Sequence, residues 1–450
     1  MMAALLLQDL SAQSQALARG DITSAALTDL VLTAIERRNP ALNAYLHIDA
    51  AAARRAAVAS DARRTAGLTL GALDGLTLAV KDNIDVVGMP STAGMATRRG
   101  RIAACDAFVV RLLREAGMVI LGKLNMHEAA LGATNDNPHY GRCENPLRAG
   151  YTPGGSSGGS ACAVAAGLCA LALGSDTLGS LRIPAAYCGV VGFKASHGLV
   201  STGGTVACSC ALDHVGPIVR SRRDLRAVLP VISAFDAACP DARAAAPRAR
   251  IKAPRWVAAS DMAALNVTGE VAAAYRKALR ALRERGDVVT EIELAGYDFG
   301  RARRAGLLVV EADLLVEHAA DWREQPQNFS PALAQLMRYA QGQSAAAYAA
   351  AMRTMARAHV EAARWFSHGD VMLLPTAPQS AFAFGSPVPV NQADFTGLAN
   401  MAGLPALSAP LPVIDTGQQQ DGLPVGLQCV APRGAEATLL ALDLQGICTA

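Results

Sequence analysis

The sequence predicts an α/β protein whose sheet is covered by helices on both faces. Three observations carry that expectation. Short apolar runs of strand length alternate with helical patterns over residues 70–220. Hydrophobic residues make up 52% of the 450-residue chain and charged residues 18%, which allows a large core and excludes a disordered chain. Strand signals then return at 371–375, 404–412 and 424–430, so a sheet begun early is finished near the C-terminus. Length alone allows two or three units. The late return of strands favours one domain over 1–450. Its parts are a helical N-terminal segment (1–66), a core (70–220), a variable helical insertion (221–370) and a C-terminal part of the sheet (371–450).

The elements follow in order. Asp21-Ile-Thr-Ser24 can cap a helix whose apolar face is Ala26, Leu27, Leu30, Val31, Ala34 and Ile35, ending at Asn39-Pro40. An alanine- and arginine-rich helix follows over 48–66. Leu76–Lys81 reads as a strand, Asp106–Ala116 as a helix closed by Gly117, and Met118–Gly122 as a buried strand. Gly158–Gly167 reads as a helix packed through small side chains, and Leu168–Gly174 as a buried strand leading into a turn. From 221 to 370 the pattern is mostly helical, with long amphipathic stretches. No internal repeat or low-complexity linker interrupts the chain.

Composition narrows the function classes. A net charge of +3 favours neither nucleic acid nor an anionic membrane as a direct partner. The start lacks a basic region before its short apolar run, so no secretory signal is expected there. The weakly polar run Ala161–Leu173 is too short to span a bilayer. Ten cysteines without a CxxC pair suggest a reduced, cytoplasmic protein. Of 41 basic residues only five are lysine, at 81, 123, 194, 252 and 277. Arginine does not give up its proton, whereas a buried lysine can, so a lysine kept inside an apolar strand invites a chemical explanation.

Three features carry chemistry. Lys81 ends a strand on which it shares a face with Thr77 and Ala79. Burial there depresses its pKa, and a neutral amine held by serine hydroxyls can act as a general base. The bland reading is a strand-end lysine snorkelling to solvent beside Asp82. Pro153-Gly-Gly-Ser-Ser-Gly-Gly-Ser160 can present Ser156 or Ser157 on a tight glycine turn; the bland readings are a flexible linker or an anion-binding helix start. The same residues satisfy G-x-S-x-G, so an α/β-hydrolase elbow with Asp370 and His359 or His368 is an alternative. In the second serine turn, Ser175-Asp-Thr-Leu-Gly-Ser180, the backbone N–H groups of Thr177, Leu178, Gly179 and Ser180 can converge as an oxyanion hole. Asp176 and Arg182 flank that turn and read as its structural pins.

Together these segments resemble the amidase signature family. Lys81, the turn ending at Ser160 and Gly174-Ser-Asp-Thr-Leu-Gly-Ser-Leu-Arg-Ile-Pro184 match its pattern. So do Gly122-Lys-Leu-Asn-Met-His-Glu128, Gly192-Phe-Lys194, Leu212-Asp-His-Val-Gly-Pro217, Ala402-Gly-Leu-Pro-Ala-Leu-Ser408 and Gly422-Leu-Pro-Val-Gly-Leu-Gln428. The match is strong over 70–220 and recognisable over 370–440. The resemblance implies a single α/β/α domain around a mixed, mostly parallel sheet. It also implies a triad of nucleophile Ser180, bridging Ser156 in a cis peptide and base Lys81, with Ser157, Asp176 and Arg182 in support. It implies no cofactor and no metal, a small amide as substrate, and leaves a homo-oligomer open. Lys81 would take a proton through Ser156, Ser180 would attack the carbonyl, and water would hydrolyse the acyl-enzyme.

One position departs from the family pattern, which usually shows two glycines before the nucleophile. Here the first is Leu178, which demands an ordinary φ and either is tolerated or narrows the pocket. His127 is expected to pack near the site. Cys208 and Cys210 are expected as buried small side chains; a metal would need further ligands, with only His197 and His214 on offer. Three functions stay open: a free-standing amidase acting on a small amide, carbamate or urea-like bond, the glutaminase subunit of a tRNA-dependent amidotransferase, or a non-catalytic binding protein blocked by Leu178. The segment Asn391-Gln-Ala-Asp-Phe-Thr396 is shorter than the second reading would lead one to expect.

Overall fold

A computed structural model describes residues 2–294, 296–412 and 422–449. Eleven strands form one sheet: β1 (Tyr45–Ile48), β2 (Thr77–Lys81), β3 (Val119–Leu124), β4 (Leu171–Ser175), β5 (Val191–Lys194), β6 (Val215–Val219), β7 (Trp256–Ala259), β8 (Val289–Ile292), β9 (Val371–Pro375), β10 (Ala406–Pro410) and β11 (Gly426–Val430). Their spatial order is β1-β3-β2-β4-β6-β5-β10-β11-β9-β7-β8. The two strands at the ends of that order, β1 and β8, are the ones that reach solvent; the other nine are buried along their whole length. Burial on both faces is why these strands read as continuous apolar runs and not as alternating ones.

The sheet is mixed, as expected, but parallel pairing is not the majority. Of ten pairings four are parallel, β2 with β3 and β4, and β7 with β8 and β9; the other six are antiparallel. Alternation of strand and helix along the chain suggests parallel crossovers. It does not say which strands become neighbours, and antiparallel neighbours need no crossover helix.

Local differences have simple causes. The first long helix runs through Asn39-Pro40 to Leu42, capped by Thr23 and closed by Asn43 in the left-handed conformation. Proline in the last turn costs one N–H donor there and does not break the helix. The N-terminal segment, expected to be helical, also supplies β1, whose four residues are too few to show a period. The middle segment is mostly helical, in Gly269–Glu284, Phe299–Glu317, Pro331–Gln341 and Ala345–Phe366, yet it adds β7 and β8 to the far edge of the sheet. Four-residue strands beside such long helical patterns leave little signal.

The site is positioned by two parallel strands. β2 and β4 pair Leu78 with Leu171, Ala79 with Ala172 and Val80 with Leu173, so Lys81 and Ser175 both sit at the C-terminal ends. Crevices beyond those ends are where ligands bind in α/β sheets. The helix Gly158–Ala165 lies against β2 and β4 with residues 158–164 buried. Gly159 makes this possible: a Cβ there would come 2.4 Å from the Asn125 carbonyl oxygen.

On the far half of the sheet, the buried Tyr275 hydroxyl accepts from Ala259 N–H at 3.0 Å and donates to the Leu373 carbonyl at 2.9 Å. It ties helix Gly269–Glu284 to β7 and β9. Tyr275→Phe leaves a buried backbone N–H without this acceptor and is expected to lower the unfolding free energy by about 1–3 kcal/mol, read by urea denaturation.

Candidate active site

Lys81 is fully buried. Its Nζ lies 2.8 Å from Ser156 Oγ and 2.8 Å from Ser175 Oγ. Burial lowers its pKa to about 7, against the upward pull of Cys208, Asp213 and Asp176 nearby. The snorkelling alternative is excluded by that burial. Ser156 follows a cis Gly155–Ser156 peptide, and Ser157 donates from its hydroxyl to the Ser175 carbonyl at 3.0 Å. Ser157 also accepts from Ser175 N–H at 3.3 Å, so the glycine turn and the end of β4 are laced together.

The serine turn that follows is built around Asp176. Its carboxylate accepts from Gly179 N–H (2.8 Å), Leu181 N–H (3.1 Å) and both arms of Arg182 (2.9 and 3.0 Å). Burial alone would raise its pKa, but Arg182, Lys194 and the Asn400 amide outweigh it and hold the carboxylate well below its ordinary range. Arg182, itself fully buried, reaches on to the Thr396 carbonyl (2.9 Å), Gln428 Oε1 (2.6 Å) and Asn400 Oδ1 (2.6 Å). Both side chains thus pin the turn from within.

The expectation for the four turn amides needs a correction. Gly179 N–H is engaged by Asp176, which leaves Thr177, Leu178 and Ser180 as amides without a protein acceptor among the described residues. Gly179 has φ +133°, and a Cβ there would lie 2.2 Å from Thr396 Oγ1, so only glycine fits. Leu178 keeps an ordinary φ, and its carbonyl accepts from Thr396 Oγ1 at 2.7 Å. The turn thus tolerates the leucine.

Beside the turn lies a cavity of about 200 Å³, lined among others by Gly155, Thr177, Leu178, Ser180 and Cys208. Ser180 is partly exposed to it, and its hydroxyl has no protein partner among the described residues. The α/β-hydrolase alternative is not met. His359 and His368 are exposed, and Asp370 pairs with Arg255. His127 is half-buried and packs against Gly132, and desolvation followed by the nearby Lys81 lowers its pKa to about 4. Cys208 is buried as expected, whereas Cys210 is exposed; His197 and His214 pack edge to face, with ring centroids 5.1 Å apart. Among the described residues no cluster of three His, Cys, Asp or Glu could hold a metal ion.

Several supporting residues escape sequence reasoning. Ser175 reads only as the start of a turn, yet it is the second hydroxyl on Lys81. Asp213 accepts from Thr177 Oγ1 (2.6 Å), Cys208 N–H (2.7 Å) and Ser209 N–H (3.1 Å); burial raises its pKa to about 6. Its place in the Leu212-Asp-His-Val-Gly-Pro217 segment is the available signal. Thr396, Asn400 and Gln428 come from more than 200 residues downstream of the turn; Gln428 closes the Gly422–Gln428 segment, which is its available signal, whereas no family segment contains Thr396 or Asn400.

A buried lysine joined to a serine, next to a pocket that holds a second serine on a turn of open amides, is the kind of site that hydrolyses C–N bonds. The chain belongs to the Amidase family, whose model matches residues 26–440. It is similar to a glutamyl-tRNA(Gln) amidotransferase subunit from Roseiflexus castenholzii (strain DSM 13941 / HLO8), at 37% identity over 462 residues, 94% of this chain and 92% of that protein. It also resembles a solved protein from a vestigial complex that reveals the evolutionary origins of an s-triazine catabolic enzyme. There the TM-score is 0.90 at 30% identity, covering 98% of this chain and 99% of that one. For the peptide amidase of Stenotrophomonas maltophilia the TM-score is 0.82 at 30% identity, covering 96% and 95%.

Removing one partner of the buried Asp176–Arg182 pair leaves an uncompensated charge, so Arg182→Met is expected to cost about 3–5 kcal/mol of stability in chemical denaturation. Activity should fall with it, because the same pair shapes the turn that carries Ser180.

Proposed function

We propose that this protein hydrolyses a small carboxylic amide, or a carbamate or urea-like C–N bond, through an acyl-enzyme on Ser180. The observation that carries the reading is the buried Lys81, with its pKa near 7 and its Nζ at 2.8 Å from Ser156. Neutral Lys81 takes the Ser156 proton as Ser156 takes the Ser180 proton. Ser180 Oγ then forms a bond to the carbonyl carbon, and the developing oxyanion is met by the free turn amides of Thr177, Leu178 and Ser180. The proton returns through Ser156 to the leaving nitrogen, the C–N bond breaks, and ammonia or an amine departs. Water repeats the relay in reverse to release the acid.

A second reading, the glutaminase subunit of a tRNA-dependent amidotransferase, is favoured by the similarity to an amidotransferase component over 94% of this chain. It predicts ammonia release from glutamine that depends on a co-purifying partner. A non-catalytic role is disfavoured by the intact Lys81, Ser156 and Ser180 and by the cavity that Leu178 leaves open.

Labelling with a fluorophosphonate, followed by peptide mapping, tests the triad. One adduct is expected on Ser180, lost in Ser180→Ala and slowed by orders of magnitude in Lys81→Ala; an adduct on Ser156 or Ser157 would overturn the assignment. The base must be neutral to work, so kcat/KM should rise with pH. The slope should approach tenfold per unit well below the lysine pKa of about 7 and flatten above it. A rate independent of pH between 5 and 8 would argue against Lys81 as the base.

A further inference from the structure

We infer that Leu178 and the helical glycine Gly306 together set the depth of the acyl pocket, and that the substrate's acyl group is compact, apolar and uncharged. This inference rests on the amidase reading of the same site.

Leu178, two residues before Ser180, has its own receptacle. Helix Phe299–Glu317 presents Gly306 to it, and helix Asp394–Met401 presents Gly397. A Cβ built on Gly306 would lie 3.3 Å from Leu178 Cδ2 and 2.8 Å from Met401 Cε. A Cβ on Gly397 would lie 3.6 Å from each of the same two atoms, an ordinary contact. The Leu178 side chain, 8% exposed, therefore fills space that a side chain at 306 would claim, while its other flank lines the cavity beside Ser180. With Met401 closing the receptacle, a Leu178 branch displaced from Gly306 has the cavity to move into.

The remaining walls indicate what fits. Leu131, Ile183, Leu307, Val310 and Leu336 are apolar, and Arg303 is the one charged side chain among the lining residues. Arg303 is already paired with Asp394, so its charge is matched and an acidic acyl group would have to compete for it. At about 200 Å³ the cavity lies below the range of roughly 300–1,000 Å³ usual for drug-sized ligands. A benzoyl or a short branched acyl group suits such a space; a charged amino-acid side chain does not.

The test compares p-nitroanilides of acetate and benzoate as substrates, and benzoate binding by calorimetry, in the full chain and in Leu178→Ala, Gly306→Ala, Gly397→Ala and the double variant Leu178→Ala/Gly306→Ala. Alanine is favoured over glycine within a helix, so Gly306→Ala keeps its helix. Gly306→Ala is expected to lower the benzoyl-to-acetyl ratio of kcat/KM and to weaken benzoate by about tenfold; Leu178→Ala should shift both the other way. The double variant should return towards the parent, and Gly397→Ala should stay within about twofold, as its contact distance implies. Shifts below twofold in both single variants, or shifts in the same direction, would overturn the inference. Benzoate binding needs no turnover. If no variant hydrolyses either anilide while benzoate affinity still moves as expected, the amidase reading fails and the pocket assignment stands.

Discussion

The bidentate pair between Asp176 and Arg182 is the contact on which the rest of the site depends. A buried carboxylate and a buried guanidinium are costly to desolvate and hold only when every donor and acceptor is used. Here they are used on three separate parts of the chain: the serine turn through Gly179 and Leu181, the helix carrying Thr396 and Asn400, and β11 through Gln428. The pair therefore does more than brace one loop. It locks the C-terminal part of the chain to the turn that presents Ser180, so late residues shape a site formed mainly by the first half.

Three lysines are buried in the strands of this sheet, and their partners separate their roles. Lys123 faces the Pro90 carbonyl at 2.8 Å and the Asp82 carboxylate at 3.5 Å. Lys194 faces the carbonyls of Ala195 and Leu404 and the His214 ring. Those oxygens have no proton to give. His214 sets its Nδ1 against the Leu212 carbonyl at 2.7 Å, which makes Nδ1 the donor and leaves Nε2 to accept from Lys194. Lys81 alone of the three faces two hydroxyls, Ser156 and Ser175, which both donate and accept. Burial lowers the pKa of all three lysines, and only at Lys81 is there a neighbouring proton to collect.

Much of the core is legible because its signals are local. The strand ending at Lys81, the glycine turn at Ser156 and the second turn at Ser180 each announce themselves within ten residues, through apolar runs and through glycines that few other residues can replace. The short strands β1, β7 and β8 are not legible, since four residues without a period cannot compete with flanking helical patterns. Gly179 misleads for a related reason. Its amide looks available in the linear motif, and only folding brings the Asp176 carboxylate back onto it.

By itself the sequence determined the residue types of the site and their order, because a tight turn, a buried amine and a hydroxyl are short-range requirements. Tertiary structure decided which strands became neighbours and which amides stayed free. It also decided where the Leu178 side chain went. Strand order and the placement of Leu178 depend on residues distant in sequence, as when Gly306 and Gly397 make room for the leucine side chain. Contacts of that kind arise only when packing brings separate helices to the same turn.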